Sequence, residues 1–145
     1  MARQAIINLY KPGEGISPHV DLLGRYADGI IGVSLGSGCV MHFDKVLRDD
    51  QEAEENTRWD VYLPERSIIV LSKEARYDWT HGIEKKTGDP VESSASEGDN
   101  SSPRVVGASQ RPWTRVERRV RLSVTFRWLL PGADVVGDDG SDDMT

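Results

Sequence analysis

The sequence predicts an all-β domain built as a sandwich, barrel or jelly roll, with few or no helices. Segments rich in β-branched and aromatic residues recur at short intervals, helical periodicity is nearly absent, and turn residues separate most of the segments. Strands are expected near Ala5–Tyr10, Ser17–Asp21, Ile30–Leu35, Cys39–Phe43, Arg58–Leu63, Ser67–Leu71, Asp78–Ile83 and Val120–Trp128. The turns are Lys11-Pro12-Gly13, Gly36-Ser37-Gly38 and Pro64-Glu65. The best helical stretch, Ser72–Tyr77, is long enough for a single turn.

The 145 residues suit one domain, expected over 1–132. Hydrophobic residues make up 37%, a low share that traces to two segments. Residues 84–112 are rich in Ser, Gly, Pro and acids and are expected to be a disordered insertion between the seventh and eighth strands. Residues 133–145 form an acidic tail, expected to be disordered as well, and Asp49–Glu55 reads as an exposed acidic loop. Glu84–Pro103 sums to -3 and the tail from Asp134 to -5, which more than accounts for the formal charge of -6 and leaves the folded body near neutral at +2. Arg111, Arg115, Arg118, Arg119, Arg121 and Arg127 crowd toward its end. A basic edge of that kind permits a nucleic-acid partner without requiring one. Cys39 is the only cysteine, which rules out an intramolecular disulfide. No apolar run approaches a membrane span, and Met1–Tyr10 lacks the pattern of a secretory signal. The expectation is an intracellular protein, cytoplasmic and/or nuclear, without membrane association; the sequence leaves the oligomeric state open, with a monomer favoured.

The last strand has the clearest pattern. Val120, Leu122, Val124, Phe126 and Trp128 alternate with Arg121, Ser123, Thr125 and Arg127. Side chains on a strand alternate between faces, so the apolar set is expected in the core. For the other face, a solvated outer surface is the commoner use. The alternative is an anion-binding wall inside a barrel. Arg121 and Arg127 lie six residues apart, about 20 Å on an extended strand. They cannot share one carboxylate, but by leaning together they reach the two ends of a short dicarboxylate. Their planar forks suit that bidentate task.

His19-Val20-Asp21 places an imidazole and a carboxylate at i and i+2, on one side of a strand. Two histidines and one carboxylate are the facial triad of non-haem Fe(II) oxygenases. The third ligand must then be His42 or His81, the only other histidines. His81 is preferred because it lies far downstream on a separate strand. The alternation Val40-Met41-His42-Phe43 makes His42 an outward, rim or structural residue. As a lone His-x-Asp the motif is more often a structural polar pair. Asn8 and Tyr10 share one face by the same i, i+2 logic. Met41, Trp59, Trp79 and Trp113 could line a cleft, although core or rim packing is the commoner use of each.

In order along the chain stand Asn8-Leu9-Tyr10, Pro12-Gly13-x-Gly15-Ile16-x-Pro18-His19-x-Asp21, Val33-Ser34-Leu35-Gly36-Ser37, Pro64-x-Arg66-Ser67-Ile68, Ala75-Arg76-Tyr77-x-Trp79-Thr80-His81-Gly82-Ile83 and Arg121-x-Ser123-x-Thr125-Phe126-Arg127. Together they resemble the AlkB-like family of Fe(II)- and 2-oxoglutarate-dependent dioxygenases, and the wording of two of them resembles the eukaryotic branch that contains the tRNA wobble-uridine hydroxylase domain. The resemblance runs from Ile6 to Trp128 outside the expected insertion. It implies a double-stranded β-helix, a cupin-like jelly-roll barrel. It implies Fe(II) on His19, Asp21 and His81, with 2-oxoglutarate and O2 as cosubstrates. Arg121, Tyr10 and Ser123 would hold the distal carboxylate of 2-oxoglutarate, and Arg127 and Asn8 would lie at the metal-proximal end. The implied activity is hydroxylation or oxidative demethylation of a nucleic acid, RNA (including tRNA) or DNA. Leu22, Leu23 and Gly24 follow Asp21, where bacterial DNA-repair members carry an acidic residue that reads the damaged base. Two further functions use the same residues: a protein or small-molecule hydroxylase, and a truncated, non-catalytic barrel acting as a binding module.

Overall fold

The computed structural model describes residues 2–46, 58–92, 104–106 and 113–133, with the backbone alone for 104–106. The described strands are β1 (Arg3–Tyr10), β2 (Ile16–His19), β3 (Ile30–Leu35), β4 (Cys39–Lys45), β5 (Arg58–Leu63), β6 (Ser67–Leu71), β7 (Trp79–Ile83), β8 (Gly88–Glu92), β9 (Arg104–Val106), β10 (Trp113–Glu117) and β11 (Arg121–Trp128). The single helical turn expected near residue 75 is α1 (Glu74–Tyr77). Every pairing among the described strands is antiparallel. One sheet has the order β1-β11-β3-β6, a second β2-β7-β4-β5-β9, and β10-β8 is a separate two-stranded ribbon. This is the all-β, jelly-roll architecture expected from the sequence. No helix among the described residues is long and apolar enough to cross a membrane.

The two large sheets face each other and enclose the core. Tyr26, Ile30, Phe43, Leu71 and Leu129 form one buried cluster, and Cys39, Leu63 and Ile83 a second. Met41, Val61 and Ile69 bridge both. Cys39 is 1% exposed, and burial pushes its thiol up, so it acts as a small apolar residue.

The structure corrects the expectation for 84–112. Gly88–Glu92 is a strand paired with β10, and Arg104–Val106 pairs with β5; 93–103 and 107–112 lie outside the described residues. Asp89-Pro90 reads as turn chemistry, but a two-stranded ribbon tolerates proline because its outer edge needs no donor. The ribbon is held by charge. Arg118 donates from Nε and Nη2 to the two Asp89 oxygens, both at 2.6 Å, and from Nη1 to the Glu84 carbonyl at 2.6 Å. Asp89 also accepts from the Val40 amide at 3.1 Å. The acidic loop and the tail beyond Ala133 lie outside the described residues.

A second correction concerns β11. Its apolar face is not in the core. Arg121 and Ser123 are buried, whereas Phe126 is 42% exposed and Val120, just before the strand, 50%. The same reversal runs across the sheet. Ile7, Val124, Val33 and Ile68 are register neighbours on its outer face, flanked by the rows Leu9-Leu122-Leu35 and Ala5-Phe126-Ile31-Val70. The polar set faces inward, where Arg121 meets Ser34 and Arg127 meets Asp21.

The arginines also do not make the basic edge expected from their clustering. Arg118 and Arg121 are buried, Arg127 is largely so, and Arg115 and Arg119 are paired with Glu117 and Glu65. Arg111 lies outside the described residues.

Candidate metal and cosubstrate site

β2 and β7 bring the two histidines together. They pair antiparallel with His19 opposite His81, after an irregularity between Ile16 and His19 that inserts one residue on β2. Such a bulge re-aims a side chain. Two glycines permit the close approach. A Cβ on Gly15 would lie 2.1 Å from the Ile83 carbonyl, and one on Gly82 would meet the His42 ring at 2.6 Å and the Pro18 nitrogen at 3.0 Å. His42 pairs with Gly82, one step out of phase with Phe43 opposite His81, so it points to the other side of the sheet. It is buried, not exposed, and has no part in the triad.

β2 ends at His19, so Asp21 is not on the strand the sequence suggested. The loop after it is set by Arg76, which is 2% exposed. Its guanidinium donates to the carbonyls of Asp21 at 3.0 Å, Leu22 at 3.3 Å and Tyr26 at 2.9 Å, and more weakly to Ala27 at 3.4 Å. Arg76 is the positioning residue the sequence reading missed. Its only signal was its place in Ala75-Arg76-Tyr77, five residues before His81. A charged side chain has no period-two signature when it serves a loop.

One ligand atom from each of His19, Asp21 and His81 lies within 4.8 Å of the others. The imidazole centroids are 4.4 Å apart, and His81 Nε2 is 3.8 Å from Asp21 Oδ2. His19 Nδ1 lies 2.9 Å from the Ser17 carbonyl, which as an acceptor fixes the tautomer that leaves Nε2 free to ligate. Burial, reinforced by the neighbouring His19, pushes His81 down to about 4, so its ring is neutral at pH 7 with a lone pair to give. Two imidazole nitrogens and one carboxylate on one side of a site are the donor set of a ferrous facial triad.

The triad opens into a cavity of about 70 Å3 between the sheets, several times the roughly 10–15 Å3 that one water needs. β1 and β11 supply its polar wall in register: Asn8 opposite Ser123, and Tyr10 opposite Arg121. Arg121 donates from Nη2 to Ser34 Oγ at 2.7 Å and lies 5.4 Å from the Tyr10 ring centroid. Burial pushes the Tyr10 phenol up, with Arg121 and a hydrogen bond to Asn8 opposing it. Arg127 donates from Nη2 to Asp21 Oδ1 at 2.6 Å and stacks over Tyr26 at 4.8 Å. The Nε atoms of Arg121 and Arg127 are buried and have no hydrogen-bond partner. A buried unpaired donor is costly, and both arginines line the cavity. Ile16, Met41, Ile69, Leu71 and Ile83 form the apolar remainder. All eight expected site residues therefore line one cavity. Of the four aromatic or thioether candidates, Met41 lines it, Trp79 packs on the core, and Trp59 and Trp113 are exposed.

Known proteins agree with this geometry. The family model of the 2OG-Fe(II) oxygenase superfamily matches residues 1–127. An uncharacterized protein, L905, of Acanthamoeba polyphaga mimivirus is 35% identical over 127 residues, covering 88% of this chain and 48% of that protein. The tRNA (carboxymethyluridine(34)-5-O)-methyltransferase ALKBH8 of Macaca fascicularis is 36% identical over 124 residues, covering 86% of this chain and 17% of that protein. The alkylated DNA repair protein ALKBH8 homolog of Arabidopsis thaliana is 37% identical over 90 residues, 55% of this chain and 26% of that protein. The chain thus spans about half or less of the length of these relatives. The chain belongs to the 2OG-Fe(II) oxygenase superfamily, of the AlkB-like type, and the His19-Asp21-His81 donor set fits the ferrous ion that the family's name implies.

Proposed function

We propose that this dioxygenase hydroxylates or oxidatively demethylates a nucleic acid, with RNA such as tRNA as the first class to test. The observation that carries the chemistry is the convergence of His19, Asp21 and His81 on a cavity also lined by Arg121 and Arg127. The nucleic-acid substrate is supported by the relatives named for tRNA and for alkylated DNA, not by surface charge.

In this reading His19 Nε2, His81 Nε2 and an Asp21 oxygen hold the iron. Together, bound Fe(II), 2-oxoglutarate and O2 supply the oxidising power that places oxygen on a substrate C–H bond, with release of succinate and CO2. The protein's residues bind and orient. Arg121, assisted by Ser123 and Tyr10, takes the distal carboxylate of 2-oxoglutarate. Arg127 and Asn8 stand at the metal-proximal end, where Arg127 also fixes the rotamer of Asp21. The apolar wall excludes water from the cosubstrate's methylenes.

Arg121→Met is expected to raise the KM for 2-oxoglutarate about 100-fold, since charge-assisted hydrogen bonds of roughly 1.5–3 kcal/mol are lost and each 1.4 kcal/mol is tenfold. Iron retention should be unchanged, because Arg121 does not touch the triad. A variant with wild-type KM would place the distal carboxylate elsewhere.

The substrate is tested by incubating the protein with Fe(II), ascorbate, 2-oxoglutarate and bulk tRNA, then measuring succinate and digested nucleosides by mass spectrometry. Succinate formation stimulated by tRNA, with a matching hydroxylated or demethylated nucleoside, is expected. Succinate that neither tRNA nor methylated DNA stimulates would point to a protein or small-molecule substrate. No succinate at all would leave a non-catalytic barrel.

A further inference from the structure

Gly32 stands in the middle of β3, where a glycine weakens the strand and needs a reason. A glycine inside a strand marks a bulge, a sharp bend, a close backbone or a close ligand. The first three do not apply here. Gly32 pairs with Thr125 on one side and Ile69 on the other, in registers that run without a shift. Its φ is not in the positive region that favours glycine. No backbone presses on it either. A Cβ on Gly15 would meet the Ile83 carbonyl oxygen at 2.1 Å, whereas one on Gly32 would meet, among the described residues, only the Ile69 Cγ2 methyl within 4 Å, at 3.1 Å. The position faces inward, in phase with buried Ile30 and Ser34, and it lines the cavity. Of the four reasons, a close ligand is the one that remains.

We infer that Gly32 is a specificity-determining residue for the cosubstrate: a 2-oxo dicarboxylate lies against its bare Cα, and the missing side chain sets how wide that diacid can be. The register puts the position between the two ends of the cavity wall. Ile6, Thr125, Gly32 and Ile69 form one inward row across the sheet. The next inward row, Asn8-Ser123-Ser34-Ser67, lies on its Arg121 side, and Arg127 lies beyond it on the other. Thr125, Gly32 and Ile69 all line the cavity. A diacid reaching from Arg121 to the triad therefore passes this row with its methylenes. Methylenes need width and no hydrogen bond, which a glycine beside an isoleucine methyl supplies. The inference rests on the reading of this cavity as the 2-oxoglutarate site. It adds a width limit set by a residue without a polar side chain, on the sheet that faces the strands of His19 and His81.

Binding calorimetry of the full chain tests this without turnover, with Mn(II) in place of Fe(II) and oxygen excluded. The ligands are 2-oxoglutarate, 3-methyl-2-oxoglutarate and 4-methyl-2-oxoglutarate. The wild type is expected to bind 2-oxoglutarate and at least one of the branched diacids. Gly32→Ala should weaken that branched diacid about tenfold more than 2-oxoglutarate, and Gly32→Val should weaken 2-oxoglutarate itself about tenfold, the scale of an overpacked contact. Bound Mn(II) per protein should stay at the wild-type level. The thermal midpoint of Gly32→Ala should not fall, because alanine loses less chain entropy on folding than glycine. A glycine needed only for packing against Ile69 predicts the reverse, a lower midpoint with unchanged affinities, and that result would overturn the inference. So would rejection of both branched diacids by the wild type, or loss of Mn(II) from Gly32→Ala. Should Gly32→Val fail to fold, Gly32→Ala decides. A wild type that binds no 2-oxoglutarate would overturn the reading of the cavity itself, and the inference with it.

Discussion

Asp21→Ala is expected to abolish iron retention and 2-oxoglutarate turnover together. The carboxylate is the only anion in the triad, and His81 is held neutral by burial. Its removal leaves two imidazoles beside the Arg127 guanidinium, which now sits 2.6 Å from Asp21 Oδ1. A cation would then have to bind next to an uncompensated positive charge. Loss of a group that merely orients a ligand costs 10–100-fold in metal affinity, so loss of this ligand should exceed about 100-fold. Asp21→Asn preserves shape but removes the charge, and should fail nearly as completely. Ferrous iron retained through gel filtration, and succinate formed per protein, measure both effects. Wild-type iron content in Asp21→Ala would remove the triad from the argument. Arg76→Met offers a related comparison, since it alters the loop behind Asp21 without touching the donor atoms.

Asp89→Ala is expected to destabilise the fold by about 3–5 kcal/mol, the cost of leaving one member of a buried ion pair unpartnered. The side chains of Arg118 and Asp89 are 6% and 4% exposed. Without Asp89, two guanidinium nitrogens and the Val40 amide lose their acceptor. At roughly 2–4 °C per kcal/mol for a chain of this size, the thermal midpoint should fall by about 10 °C. The paired replacement Asp89→Leu with Arg118→Met should recover much of that loss, because it removes both charges at once. It should not recover all of it, since the Glu84 carbonyl and Val40 amide still lack partners. A fall in midpoint within a degree or two of wild type for Asp89→Ala would show that the ribbon contributes nothing to the fold.

Much of the site was legible because its residues obey strand arithmetic. Asn8 and Tyr10, and Arg121, Ser123 and Arg127, are spaced by even numbers of residues, so each set had to share a face wherever its strand lay. Their joining was not legible. That β1 pairs with β11 so that Asn8 meets Ser123 and Tyr10 meets Arg121 is a register, set by contacts more than a hundred residues apart. His19 and Asp21 do come together, but on a partly wrong premise. The strand stops at His19, and Arg76 rather than backbone alternation turns Asp21 toward the metal position. The β8–β10 ribbon was hidden for a similar reason. Its polar composition suggested that it could not bury enough surface, whereas the Arg118–Asp89 pair holds it in place.

By itself the sequence determined the all-β class, the positions of eight strands and the two-faced character of the last strand, and it singled out His19, Asp21 and His81, which the fold brings together. Tertiary structure alone decided which face of that strand points inward. Alternation divides side chains into two sets, and hydrophobicity ordinarily assigns the apolar set to the core. Here the inner wall has partners for its guanidinium groups in Ser34, Asp21 and the cavity, so the charged set is buried and the aliphatic set is turned out. Local sequence carries the period, but the direction depends on what the opposite wall offers, and that exists only once the two sheets have closed.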